Sequence, residues 1–178
     1  MNIAAYGVDT INLGAGHTSG NDTVTFRQVA IGSHITNWLS NDTADLSIAA
    51  FTNANAIYGG SGSGTIAAQS AHTETVVAFA TGAATAGEDV FDMGGTTFAN
   101  AAALATYLDA NTITFASGTV PAGGASLLVE YSDGTNVHLA LVHLNNGAVD
   151  TSAATATDIV VLVGVSSTSS LHNIHLVA

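Results

Sequence analysis

Cysteine and lysine are both missing from this chain, and Arg27 is its one strong base. Without cysteine there is no disulfide and no thiolate metal site, and the redox compartment is left unconstrained. Thirteen acids against a single base give a formal net charge of −12. No basic surface therefore exists to displace phosphate counterions or to dock on anionic lipid. Nucleic acid is excluded as a partner on that ground, and inorganic cations become the natural ones. Charged residues of either sign are scarce at 8%, while hydrophobic residues reach 47%; a chain this apolar folds rather than forming a solvated acidic tail. Long apolar runs are absent all the same. No stretch approaches the roughly 18 residues of a spanning helix, so membrane insertion is not expected. The opening MNIAAYGVDTINLG has neither the basic start nor the apolar run of a secretory signal peptide. Aromatics are few, and the single proline, Pro121, sits in a turn-like TVPAGG.

What remains is rich in threonine, valine and glycine with alternating apolar residues, the palette of strands. In DTVTFRQVAI, Val24, Phe26 and Gln28 alternate with Thr23, Thr25 and Arg27. ADLSIAAF, TETVVAFAT, TITFAS and TDIVVLVGV also read as strands, GEDVFDMGG as a short strand or turn, and YGGSGSGT as a flexible loop. The clearest hairpin spans residues 127–144, where two apolar runs flank Asp133-Gly134, a pair that favours a two-residue type I′ turn. Alternation puts Leu128, Val137, Leu139 and Leu141 on one face and Leu127, Val129, Ala140 and Val142 on the other. Two apolar faces mean a sheet covered on both sides, or one face given to a partner.

One segment, about residues 97–109, has helical spacing: Phe98, Ala101, Ala102, Ala105 and Leu108 fall in phase, with Thr96 or Thr97 as the cap. The expected fold is mainly β, an antiparallel β-sandwich or jelly-roll-like domain with one short α-helix. It would be a single domain over residues 1–178, with 1–20 as an extended N-terminal segment, a length that suits one core. N-D-T recurs at Asn21 and Asn41, twenty residues apart. Both are formal glycosylation sequons, and both are more simply turns that precede strands.

The acids carry the best case for a site. Glu88, Asp89 and Asp92 lie within five residues, flanked by Gly87, Gly94 and Gly95. Carboxylates on a glycine-bent backbone suit calcium, which takes six to eight oxygen ligands in flexible geometry. Asp22, Asp42 and Asp45, in and after the two N-D-T turns, form a second candidate calcium group. No EF-hand loop is present. The histidines look less promising: His138 and His143 differ by five, and His172 and His175 by three, so neither pair shares a strand face. His17, His34 and His72 stand alone. Catalysis has little support, since no G-x-S-x-G elbow occurs and YGGSGSG lacks the lysine of a phosphate loop. The pair His72 and Glu74, at strand spacing, is the only toehold for an enzyme, and an enzyme is not expected.

In the C-terminal half, FANAAALATYLDAN is followed by SLLVEYSDGTNVHLALVHLNNGAVDTSAATATDIVVLVGV and a short apolar end. This resembles the end domains of bacterial type I-secreted surface proteins, the RTX adhesins and some S-layer proteins. The resemblance rests on Tyr131-Ser132-Asp133-Gly134-Thr135-Asn136, on Asn146-Gly147, and on Asp158 through Val165. The glycine-aspartate nonapeptides of RTX calcium rolls are missing, so only calcium binding by turns carries over. The resemblance implies export through a C-terminal signal, and an extracellular or cell-surface location. The expected function is then a non-enzymatic structural protein that associates with itself into a filament, surface layer or biofilm matrix, assisted by calcium. The alternative is a secreted ligand-binding or adhesin module. In it Trp38, Tyr58 or Tyr107 would stack on glycan rings, or Tyr58 or a histidine would ligate haem.

Overall fold

The computed structural model describes residues 2–5, 7–16, 18, 21–28, 32–51, 71–79, 84–85, 90–109, 114–115, 125–144 and 154–178. The strands are β1 (Asn2–Ala5), β2 (Thr10–Asn12), β3 (Thr23–Phe26), β4 (Ser33–Thr36), β5 (Thr43–Ser47), β6 (His72–Thr73), β7 (Val76–Ala78) and β8 (Ala84–Thr85). After β9 (Val90–Thr97) comes the helix α1 (Ala101–Asp109), then β10 (Thr114–Phe115), β11 (Ala125–Ser132), β12 (Val137–Leu144), β13 (Thr155–Val163) and β14 (Ile174–Val177). One sheet has the order β1-β3-β5-β14-β6, and the other β2-β4-β13-β12-β11-β9-β7. A small β10-β8 pair is separate. The mainly-β class thus holds, with a single short helix among the described residues, and the strands fall into two facing sheets.

Strand direction departs from the antiparallel expectation. Among the described residues only β11–β12, β12–β13 and β14–β6 run antiparallel; the other pairs are parallel. The reason lies in the first five strands, which alternate between the two sheets. Each crossing returns the chain in the direction it left, so β1, β3 and β5 stack parallel in one sheet while β2 and β4 stack parallel in the other. This is the winding of a parallel solenoid, in which one coil lies on the next. The N-D-T echo is its period: Asn2 pairs with Thr23, and Thr23 with Thr43. At the coil corner Asn41 Nδ2 donates to Asn21 Oδ1 (2.9 Å), and Asp42 Oδ1 accepts the Asp22 N–H (2.9 Å). The stretch read as an extended N-terminal segment holds β1 and β2, the first coil. The chain's end supplies another coil, because β13 lies parallel to β4 and β14 parallel to β5.

Two cores follow. Between the sheets, Val24, Phe26, Leu46 and Ile174 meet Ile35, Leu128, Leu139 and Leu162. On the outer face of the second sheet, α1 lays Leu104 and Leu108 over Leu127, Val129, Tyr131 and Val142. The hairpin faces read from alternation are the faces observed: Leu128, Val137 and Leu139 belong to the first core with Leu141 packed against it, and Leu127, Val129, Ala140 and Val142 to the second. Both are covered within the chain. Among the described residues the exposed large hydrophobics are Val8 and Val163, so no apolar sheet face is left for a partner.

Local chemistry shifts two details. The cap of α1 is Asn100, whose Oδ1 accepts the Ala103 N–H (2.9 Å); Thr96 and Thr97 stay in β9, where Thr97 pairs with Ser132. The hairpin turn is a four-residue loop, closed outside the Ser132–Val137 pair. Gly134 has φ +94° there, while Asp133 keeps a negative φ. A type I′ turn needs both positive. Asp133 Oδ1 instead accepts the N–H groups of Thr135 (2.7 Å) and Asn136 (2.6 Å), which closes the loop by a side chain. Among the described residues no helix is long and apolar enough to cross a membrane.

Candidate functional site

Asp92 and Glu130 are direct partners across the parallel pair β9–β11, so their side chains leave the sheet on the same face. That is also the face of Leu128, the one turned toward the first sheet. Just beyond Asp92 the register of β9 slips against β11, and Gly94 takes φ +59°, a left-handed backbone that favours glycine. The bulge turns the Gly94 N–H onto Asp92 Oδ1 (2.7 Å), and Oδ2 is the oxygen that faces His172. The third member comes from far along the chain. Between β13 and β14 a 3-10 turn, Thr168–Leu171, is held by the buried side chains of Thr168 and Leu171. His172 follows it, with Nε2 at 3.6 Å from Asp92 Oδ2 and 3.5 Å from Glu130 Oε2. All three donor atoms lie within 4.8 Å of one another.

Glu130 is the unusual member. Its side chain is wholly buried, and neither carboxylate oxygen accepts a hydrogen bond. Burial first, and the charge of Asp92 second, push its carboxyl up to about 9. His172 is 43% exposed, so the group opens to solvent chiefly through the imidazole.

A second polar cluster closes the hairpin. Tyr131 stacks on His138 (ring centroids 4.5 Å apart) and donates its hydroxyl to Asp158 Oδ1 (2.9 Å). His138 sits between two carboxylates, with Nδ1 at 3.1 Å from Asp158 Oδ2 and Nε2 at 3.3 Å from Asp133 Oδ2. Burial pulls the His138 pKa down, but the hydrogen bonds and charges of Asp158 and Asp133 outweigh it and raise the value. For Asp133, burial is outweighed by donors from Asn136, Thr135 and His138, and its carboxyl is held well below the usual range. Every ring nitrogen and carboxylate here already has a partner, the pattern of a structural lock.

Of the six acids expected to hold calcium, Asp92 alone enters a group of three potential metal ligands among the described residues. Glu88 and Asp89 lie outside the described residues. Asp42 is fully buried and spends both oxygens on backbone, on Asp22 N–H and on Leu39 N–H (2.8 Å). It therefore joins coils, and Asp22 is its neighbour through that bond. Asp45 turns to His175 (3.3 Å) instead of to them; burial raises its carboxyl pKa, partly offset by His175.

The aromatic platform of the adhesin alternative is not available at Trp38, which is 5% exposed and donates Nε1–H to the Ser170 carbonyl (2.8 Å). Tyr107 packs edge-on against Phe79 and Phe98, and Tyr58 lies outside the described residues. Glu74 is buried, and the side chain of His72 lies outside the described residues. Sequence spacing does not join Glu130 or His172 to Asp92, because the three meet only through the β9–β11 register and the turn before β14. Glu130 did leave a signal: an acid inside the apolar run SLLVEYS is rarely buried without a partner. Compared with known proteins, the chain matches no family model, no curated protein and no solved structure, and the chemistry of its residues is what argues its function.

Proposed function

We propose that this chain is an extracellular structural protein that assembles with copies of itself, head to tail, through the coil end formed by β1 and β2. One observation carries the proposal. Among the described strands β1 and β2 each have a single neighbour, so both sheets end at the same coil. Neither strand carries a charged residue, a lysine or a proline, the usual devices that stop strand edges from pairing. The opposite edges are β6 and β7, which follow one another closely in sequence, and the two sheets therefore share a polarity. A copy adding its β6/β7 edges to the β1/β2 end of the next would run on as a fibre; two coil ends meeting about a two-fold axis would close as a dimer. The covered sheet faces play no part, and the strand edges alone support assembly. The resemblance of the C-terminal half to type I-secreted surface proteins supports the extracellular setting. Repulsion between copies of charge −12 opposes assembly, and calcium would promote it by screening.

Electron microscopy and sedimentation of the purified chain test this, with millimolar calcium and again after EGTA. Ala4 and Thr10 are exposed on β1 and β2, so an Ala4→Lys/Thr10→Lys variant keeps the fold and puts charge on both edges. Fibres from the parent and dispersed particles from the variant are the expected result. Dispersed parent particles in both conditions, or fibres of equal yield from the variant, would overturn the proposal.

A further inference from the structure

We propose that Asp92, Glu130 and His172 form a binding site for a zinc-class divalent metal ion, which pins the last coil of the chain to the second sheet.

The separations argue for an interposed ion. At 3.5 and 3.6 Å His172 Nε2 stands too far from either carboxylate for a hydrogen bond; a charge-assisted one would close to about 2.8 Å. Two ligands bound tetrahedrally at about 2.0–2.1 Å from one ion stand roughly 3.4 Å apart. Burial points the same way. Glu130 offers two oxygens, wholly enclosed, to which nothing donates. A buried acid without donors is destabilising unless a cation completes it. Asp92 is held in place by the Gly94 N–H on its other oxygen, the outer-shell support that orients a metal ligand.

Donor chemistry selects the class. One imidazole nitrogen and two carboxylates form a borderline set that suits zinc and its transition-metal neighbours. Calcium prefers six to eight oxygens, and magnesium a near-octahedral oxygen shell. Once the ion displaces the Glu130 proton into solvent, two carboxylates and a neutral imidazole balance a charge of +2. Solvent exposure at His172 supplies an entry path, and a water would complete the shell as fourth ligand. The three residues come from β9, β11 and the link into β14, so a bound ion ties segments far apart in sequence. The site does not depend on self-assembly, and dispersed protein tests it alone.

The experiment is titration of chelator-treated full-length chain with Zn²⁺ by calorimetry, alongside thermal unfolding with and without the ion. Ca²⁺ and Mg²⁺ serve as comparators. His172→Ala is an exposed change that leaves the fold intact, Glu130→Gln keeps the shape of the buried side chain, and His34→Ala removes an exposed histidine elsewhere. One Zn²⁺ per chain should bind and raise the melting temperature. Affinity should fall at least about tenfold in both site variants, since loss of outer-shell partners already costs about 10–100-fold, and should be unchanged in His34→Ala. No saturable Zn²⁺ binding, equal affinity in His172→Ala, or tighter binding of Ca²⁺ at these residues would overturn the proposal.

Discussion

Single side chains set the pH response of this protein. His138 has a raised pKa in the folded chain, so its contribution is complete below the unfolded value and is lost as pH rises through the folded one. Asp133 is depressed; its contribution is present above the unfolded value and is lost as pH falls through the folded one. The hairpin lock is therefore strongest between about pH 4 and about pH 6.5. His138→Gln should lower stability by about 1.5–3 kcal/mol in that window. The gap between parent and variant should narrow above it, as followed by urea unfolding across pH. Glu130 has the opposite character. Glu130→Leu removes a buried acid with no hydrogen bond, and the metal-free protein should gain about 1–3 kcal/mol. Chemical denaturation after chelation measures that gain; a loss instead would mean that donors satisfy the carboxyl in solution.

At the level of elements, α1 stands out because it covers the outer face of the second sheet. Leu104 and Leu108 are fully buried there, at a spacing of four that the helical period dictates. Leu108→Ala should cost about 2–5 kcal/mol and expose the Leu127 and Val129 face, visible as dye binding before global unfolding. Helix position and the inward-facing Phe98, Ala105 and Leu108 are legible in sequence. Ala102, in the same expected phase, is exposed and Ala101 half-buried, while the fully buried Leu104 falls outside that phase. The helix cap is not legible, since Thr96, Thr97 and Asn100 all have capping side chains, and the choice followed from β9 extending to Thr97. The 127–144 hairpin was legible to the level of individual faces, because a period of two is a property of the strand itself. Its turn type was misjudged, because the carboxylate of Asp133 competes with backbone twist in closing the loop.

For the whole molecule, the winding of the chain matters more than its layers. A mixed stack of coils ends in β1 and β2, and that end is where the Ala4→Lys/Thr10→Lys test of assembly acts. The apolar sheet faces suggest a surplus for a partner, but the first sheet and α1 cover them, and among the described residues the strand edges are what remains for association. The N-D-T echo, read as turns that precede strands, does precede β3 and β5 and also marks the coil period. Turn residues recur because each coil turns the same corner, and Asp42 crosses from one coil to bond the next.

What depends on neighbours along the chain is legible in the sequence: the mainly-β class, the two hairpin faces, the helix, and a net charge of −12. Each follows from a periodicity or a composition that short-range geometry converts directly into structure. Tertiary structure alone decided which strands lie side by side and in which direction, because alternation tells which way a side chain points and nothing about its partner strand. It also decided the meeting of Asp92, Glu130 and His172. Their convergence is a product of β9–β11 register and of the turn that brings the chain into β14, and no spacing along the sequence encodes it.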